Sequence, residues 1–240
     1  MARKQGSAGV DFQALLGRIR DCRLCLDDPD GAPLPHQPRP VLRVQPSATL
    51  LIAGQAPGTR VHATGLPFND PSGDRLRDWL GVDGETFYDS SRIAIVPMGF
   101  CFPGQNTAGA DLPPRRECVA AWHDELFARL PGLRLKLAIG GYAHAYHLGK
   151  LAAPNVTETV GRWRQIGEAT ASETGIRVIP LPHPSWRNSG WLKKNPWFST
   201  ELLPELRRHV RTELERRDQG SAPSTTGRSS RRDHAAIEPS

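Results

Sequence analysis

The sequence predicts an α/β protein, a three-layer α/β/α sandwich with a central, mainly parallel four-stranded sheet. Two observations carry this. Short apolar runs at 50–53, 92–96, 135–139 and 178–181 alternate with segments whose apolar residues recur at helical spacing, as in a parallel sheet covered by helices on both faces. Bent loops follow the first and last runs, Gly54-Gln55-Ala56-Pro57-Gly58 and His183-Pro184-Ser185. Such sheets assemble their sites at strand carboxyl ends, so these two loops are the first place to look for chemistry.

Each element has its own signal. Residues 1–10 read as a disordered N-terminus. Phe12, Leu15, Leu16 and Ile19 then mark an amphipathic helix ending near Cys22. Pro29, Pro33, Pro35, Pro38, Pro40 and Pro46 make 27–47 an extended loop lying over the surface. After the first strand, Ser72 is placed to cap a helix carrying Leu76, Trp79 and Leu80, which Gly81 stops. Pro97 bars continuation of the 92–96 strand. A loop rich in glycine and proline covers 99–114, and a helix follows from about 114 to 130. Beyond the third strand, Gly140-Gly141 leads into a short helix near 143–148. A final helix over 201–217 turns Leu202, Leu206 and Val210 inward. From Asp218 the chain has no apolar period and cannot offset its ordering entropy, so 218–240 reads as a disordered tail. One domain over 11–217 suits this length.

Composition narrows the function classes. Lys and Arg number 31 against 25 Asp and Glu, a formal net charge of +6, which favours a polyanionic partner. No apolar run approaches the roughly 20 residues of a membrane helix. Met1 to Gly6 lacks the apolar segment of a secretory signal, so a cytoplasmic location is expected. Gly54-x-x-Pro-Gly58 lacks the Lys-Ser/Thr of a P-loop, and no Ser-His-acid set stands out.

The motifs in their order and spacing resemble the uracil-DNA glycosylase superfamily, most closely its iron–sulfur branch, family 4. That branch has Gly-Glu-Ala-Pro-Gly where this chain has Gly54-Gln55-Ala56-Pro57-Gly58. The Gly-x-Pro-Phe element is Gly65-Leu66-Pro67-Phe68, with Gly73 and Leu76 in register, and the closing motif is His183-Pro184-Ser185 with Arg187-Asn188 beside it. The likeness covers roughly residues 20–210.

The four cysteines of the chain are Cys22 and Cys25, a C-x2-C pair, and the later Cys101 and Cys118. Taken alone they are buried reduced thiols, zinc ligands or iron–sulfur ligands. The resemblance implies the last, since the branch has its four ligands in this order. It implies a structural [4Fe–4S] cluster that ties the proline-rich loop and the 99–114 loop to the helices.

By the same resemblance the chain is a DNA glycosylase of base excision repair, cleaving the N-glycosidic bond of uracil or a related deaminated base flipped out of DNA. Phe68 would stack on the base while Gly54, Gln55 and Ala56 contact its carbonyl edge, and the Gln55 side chain is also a catalytic candidate that touches base or water. His183 would donate a hydrogen bond to the departing anion, and water would be the nucleophile. Asn69 joins Gln55 and the main chain as a candidate reader of the base. Two departures bear on the chemistry. Gln55 replaces the family-4 glutamate and Ala56 is no acid, which leaves Asp70 or Asp74 as substitutes for activating water. Pro97 replaces the asparagine that reads the uracil edge, with Met98 and Phe100 as further apolar walls.

Ser185, Trp186 and Arg187 continue the closing motif toward DNA, with Trp186 or Trp191 as the wedge and Lys193 and Lys194 as phosphate contacts. Arg60 and His62 are further phosphate candidates, and Arg228, Arg231 and Arg232 of the tail give nonspecific attraction. A monomer is the simplest expectation. The alternative from another class is a damaged- or single-stranded-DNA-binding protein of this fold with little or no glycosylase activity.

Overall fold

Strand-forming runs and helical segments alternate along the chain, and the computed structural model describes residues 4–220, with side chains over 11–216. The chain runs α1 (Lys4–Arg20), α2 (Leu24–Asp27), β1 (Leu50–Ala53), α3 (Thr59–Thr64), α4 (Pro71–Leu80), α5 (Gly84–Tyr88), β2 (Ile93–Ile95), α6 (Arg116–Cys118), α7 (Asp124–Phe127), β3 (Leu135–Ile139), α8 (Gly141–Leu148), α9 (Val156–Gly161), α10 (Trp163–Thr174), β4 (Arg177–Leu181), α11 (Ser189–Lys194) and α12 (Leu203–Gly220). The sheet order is β2-β1-β3-β4 and every pairing is parallel, with Leu50 opposite Ile93 and Leu135, and Leu135 opposite Arg177.

Alternation along the strands builds two cores. Leu50 and Ile52, Ile93 and Ile95, Leu135, Leu137 and Ile139, and Ile179 and Leu181 pack against α4, α5 and α12. On the other face, Leu51, Ala94 and Val96 meet α1 and the 116–127 helical stretch, while Ala53, Ala138 and Val178 meet α8 and Ile166 of α10. This is the three-layer α/β/α sandwich that the alternation of runs implies.

Several boundaries differ from the sequence reading, each for a local reason. α1 begins at Lys4, inside the stretch read as disordered, because adding turns to a nucleated helix is cheap. α12 runs to Gly220, and the rest of the tail lies outside the described residues. Asp70, not Ser72, caps α4: its side chain accepts the Gly73 N–H and Pro71 takes the first helical turn, where a missing N–H is harmless. Gly81 ends that helix in the left-handed conformation, as expected. The 116–127 stretch is interrupted by a π-turn at Val119–His123. Arg43 of the proline-rich segment exchanges two main-chain hydrogen bonds with Ile95 of β2, at 2.9 and 2.7 Å. That segment buries Leu34, Val41 and Val44, so it is part of the packed structure.

Candidate active site

The carboxyl ends of β1, β2 and β4 open into a cavity of about 590 Å³. Gly54 to Gly58 line one side and His183 with Ser185 to Asn188 another, with Phe68, Asp70 and Pro97 also in the wall. Residues far apart in sequence thus meet because a parallel sheet places every strand's carboxyl end along one edge.

The first-motif turn is fixed from behind. The Gly54 and Gln55 carbonyls accept the Met98 and Gly99 N–H groups at 2.9 Å each, tying the end of β1 to the segment after β2. The Gln55 amide donates from Nε2 to the Leu112 carbonyl at 3.3 Å.

Phe68 has φ of 54°, a strained value for a residue with a Cβ, and three contacts hold it there. The Tyr88 hydroxyl donates to the Pro67 and Phe68 carbonyls at 2.9 and 3.1 Å, and Arg77 Nη1 donates to the Phe68 carbonyl at 3.2 Å. The ring meets Phe87 edge-on at 6.1 Å, and its Cζ lies 3.5 Å from where a Cβ on Gly54 would stand. The ring therefore lies against the first-motif turn.

His183 is oriented by its own loop. The Ser185 N–H donates to Nδ1 at 3.2 Å, and Asn188 Nδ2 donates to the His183 carbonyl at 2.7 Å. A ring nitrogen that accepts an N–H carries no proton, so the neutral imidazole bears its proton on Nε2. Nε2 has no protein partner among the described residues. Burial lowers the histidine pKa, against the opposing charges of Asp70 and Asp111, which favours this neutral donor form.

Other assignments are corrected by the geometry. Asn69 is outside the cavity wall: its Nδ2 donates to Thr64 Oγ1 at 2.7 Å, a bond within its own loop. Met98 and Phe100 are both buried on the face of the sheet that α1 and α8 cover, and Val41 and Ile95 join Pro97 as apolar wall instead. Asp74 pairs with Arg77 at 2.6 Å and faces outward. Trp191 packs on the α12-side core with Trp197 and Phe198, its Nε1 donating to Thr157 Oγ1 at 2.8 Å, so it is no wedge. Trp186 is 71% exposed at the cavity rim, with the Arg187 guanidinium 5.9 Å from its ring. Lys193 and Lys194 are exposed on α11, outside the wall. Arg60 is exposed on α3, whereas His62 packs on His36 and Phe102.

Two residues lacked any local sequence signal. Arg75 Nη1 donates to the Ser185 carbonyl at 2.9 Å and braces the closing loop. Asp111 lines the cavity from the 99–114 loop.

The cysteines are all free thiols, with Cys25, Cys101 and Cys118 buried and Cys22 half-buried. The Cys118 thiol hydrogen-bonds Cys25, lowering the Cys25 pKa to about 7, whereas burial pushes Cys101 up to about 12. Sulfur atoms of two of them receive N–H groups: Phe100 N to Cys118 Sγ and Trp122 Nε1 to Cys22 Sγ, each at 3.3 Å. Among the described residues no group of three or more His, Cys, Asp or Glu is arranged to hold a metal ion. No helix among them is long and apolar enough to cross a membrane.

The parallel α/β sandwich thus sets a braced strand-end turn, the Phe68 ring and a neutral histidine around one cavity. The family model of the uracil DNA glycosylase superfamily matches residues 43–207. The chain belongs to that superfamily, whose members act on DNA.

Proposed function

We propose that the chain is a monofunctional DNA glycosylase of base excision repair that removes uracil or a related deaminated base, acting as a monomer. The observation that carries this is the His183 tautomer: with Nδ1 occupied, its Nε2–H is the donor available beside Phe68 and the first-motif turn. A base leaving as an anion puts charge on a ring oxygen, and one preorganised donor of this kind stabilises the transition state by about 3–4 kcal/mol. Phe68 stacks on the extruded base, and Trp186 with Arg187 fills or flanks the gap left in the duplex. With Pro97 in the wall and Asn69 outside it, recognition of the base edge falls to the free carbonyl oxygen of Gln55 and to main chain. Lys193 and Lys194 add phosphate contacts.

The test is incubation with oligonucleotides containing uracil, hypoxanthine, xanthine or hydroxymethyluracil, followed by alkali. Strand cleavage at one or more of these bases is expected, and intact strands throughout would refute the reading. Tight binding of the modified strand without an abasic product would establish instead a damaged-DNA-binding protein.

We also propose that Cys22, Cys25, Cys101 and Cys118 hold a structural [4Fe–4S] cluster. The donor chemistry supports it: four free thiols with no disulfide, and two N–H···S bonds of the kind that tune cluster thiolates. The cluster would brace the proline-rich segment and the 99–114 loop, and no step of hydrolysis runs through it. Protein purified without oxygen should be brown, with iron and an absorption band near about 400 nm. Colourless, iron-free protein would remove the cluster.

A further inference from the structure

Hydrolysis needs a group to receive the proton of the attacking water, and the first-motif turn supplies none, since Gln55 and Ala56 are both neutral. Two carboxylates line the cavity, Asp70 and Asp111, and their situations differ. Asp70 caps the start of α4 through Oδ1, which accepts the Gly73 N–H at 3.1 Å at the positive end of a helix, while its Oδ2 has no hydrogen-bond partner among the described residues; what sets Asp111 apart is its place over the first-motif turn.

Asp111 stands on a short folded-back loop. Gln105 and Asp111 form an antiparallel bridge, and the Leu112 N–H donates to the Gly104 carbonyl at 2.9 Å. The Gln55 amide ties this loop to the first-motif turn through Leu112. Asp111 Oδ1 accepts from Gln105 Nε2 at 3.1 Å. Its Oδ2 lies 3.6 Å from the place a Cβ on Gly58 would take, so the carboxylate leans over the turn where the base is expected. Among the described residues Oδ2 has no hydrogen-bond partner. One oxygen is held and the other is free on the cavity side, as a general base requires.

We propose that Asp111 is the carboxylate that activates the attacking water and balances the positive charge of the sugar, a role the β1 turn leaves unfilled. This rests on the glycosylase reading above. The water oxygen bonds to C1′ while the C1′–N bond breaks, its electron pair passing to the base, whose oxygen is held by His183 Nε2–H. The proton lost by the water goes to Asp111, and solvent protonates the departing base, giving free base and an abasic sugar hydroxyl. The other charged or titratable side chains of the wall are Asp70, His183 and Arg187.

The experiment compares the full chain with D111N and D70N, on whichever strand the wild type cleaves, by single-turnover excision and by DNA-binding anisotropy. Asparagine caps a helix as well as aspartate does, so D70N removes charge without removing the cap. D111N is expected to lose about 100-fold or more in excision rate with DNA affinity unchanged. Added formate should restore part of the rate to D111A, since a small carboxylate can replace a missing base but cannot rebuild a loop. D111N as fast as wild type would overturn the proposal, as would a loss confined to D70N. Loss of DNA affinity in D111N with no formate rescue of D111A would reduce Asp111 to a loop brace and overturn it too. A wild type inactive on every strand refutes the glycosylase reading and this proposal together; an active wild type with an equally active D111N refutes the proposal alone.

Discussion

Gly73→Ala tests how the stacking ring is held. A Cβ at position 73 would lie 1.7 Å from the Phe68 carbonyl oxygen, 2.5 Å from its carbon and 2.9 Å from Phe68 Cβ. Real Cβ atoms essentially never approach a heavy atom within 3.0 Å, so either the carbonyl or the start of α4 must move by more than about 1 Å. The carbonyl is pinned by the Tyr88 hydroxyl at 3.1 Å and by Arg77 at 3.2 Å. Losing one neutral and one charge-assisted hydrogen bond costs about 3 kcal/mol, and strain in a packed site adds to it. Urea unfolding should show that loss. Excision of the base should also fall further than the change in folded fraction explains, because the Phe68 ring no longer rests against the turn at Gly54. Gly84→Ala is the control: its Cβ meets open space in a helix, so the change should be neutral or slightly stabilising. Wild-type stability and excision in Gly73→Ala would refute the claim that the Phe68 carbonyl occupies that space.

His183→Ala should lower single-turnover excision by about 100-fold to 1,000-fold while DNA affinity survives; an unchanged rate would reassign the leaving-group donor. Trp186→Ala should weaken binding of the modified strand with little change in the unfolding midpoint, because the indole is exposed, whereas Trp191→Ala should chiefly lower stability. The reverse pattern in urea unfolding and anisotropy would exchange their roles. Acid should destabilise the fold through two histidines. Burial holds His123 down to about 4, and burial with Lys136 and His123 nearby holds His147 down to about 3. In the unfolded chain both take up protons near about pH 6.5, so between these limits the unfolded state binds more protons and stability falls as pH falls. For the fully buried His123 the loss amounts to about 3 kcal/mol by pH 4, and equal unfolding free energies at about pH 7 and about pH 4.5 would contradict it.

What was legible in the sequence is what short range determines. The turn after β1 and the histidine after β4 declare themselves because strand, bend and chemistry are contiguous, and a parallel sheet then brings both to one edge. Gly81 and Pro97 likewise act on their own positions. Assignments failed where a side chain's partner decides its role. Asn69 follows Phe68 but its amide nitrogen turns to Thr64 and the residue stays outside the cavity wall, and Trp191 looked available until the fold turned it onto Trp197 and Phe198. Asp111 stayed hidden because bonds from Gln105 and Gln55 place its loop over the cavity. α10 was missed because its inward positions are Trp163, Ile166, Gly167 and Thr170, at helical spacing but half of them not apolar. The extent of α1 and α12 was underestimated because compositional bias marks weak packing, which a helix can outlast by a turn or two.

The pairing of Arg43 with Ile95 has a consequence for solution behaviour. β2 is an outer strand, and an outer strand with open N–H and C=O groups is a template for a second molecule. Here the proline-rich stretch sits on that border and uses its hydrogen bonds at Ile95, while the prolines beside it offer no donor to continue a ladder. The same stretch supplies Val41 to the cavity wall, so one piece of irregular chain both finishes the pocket and occupies the β2 border at Ile95.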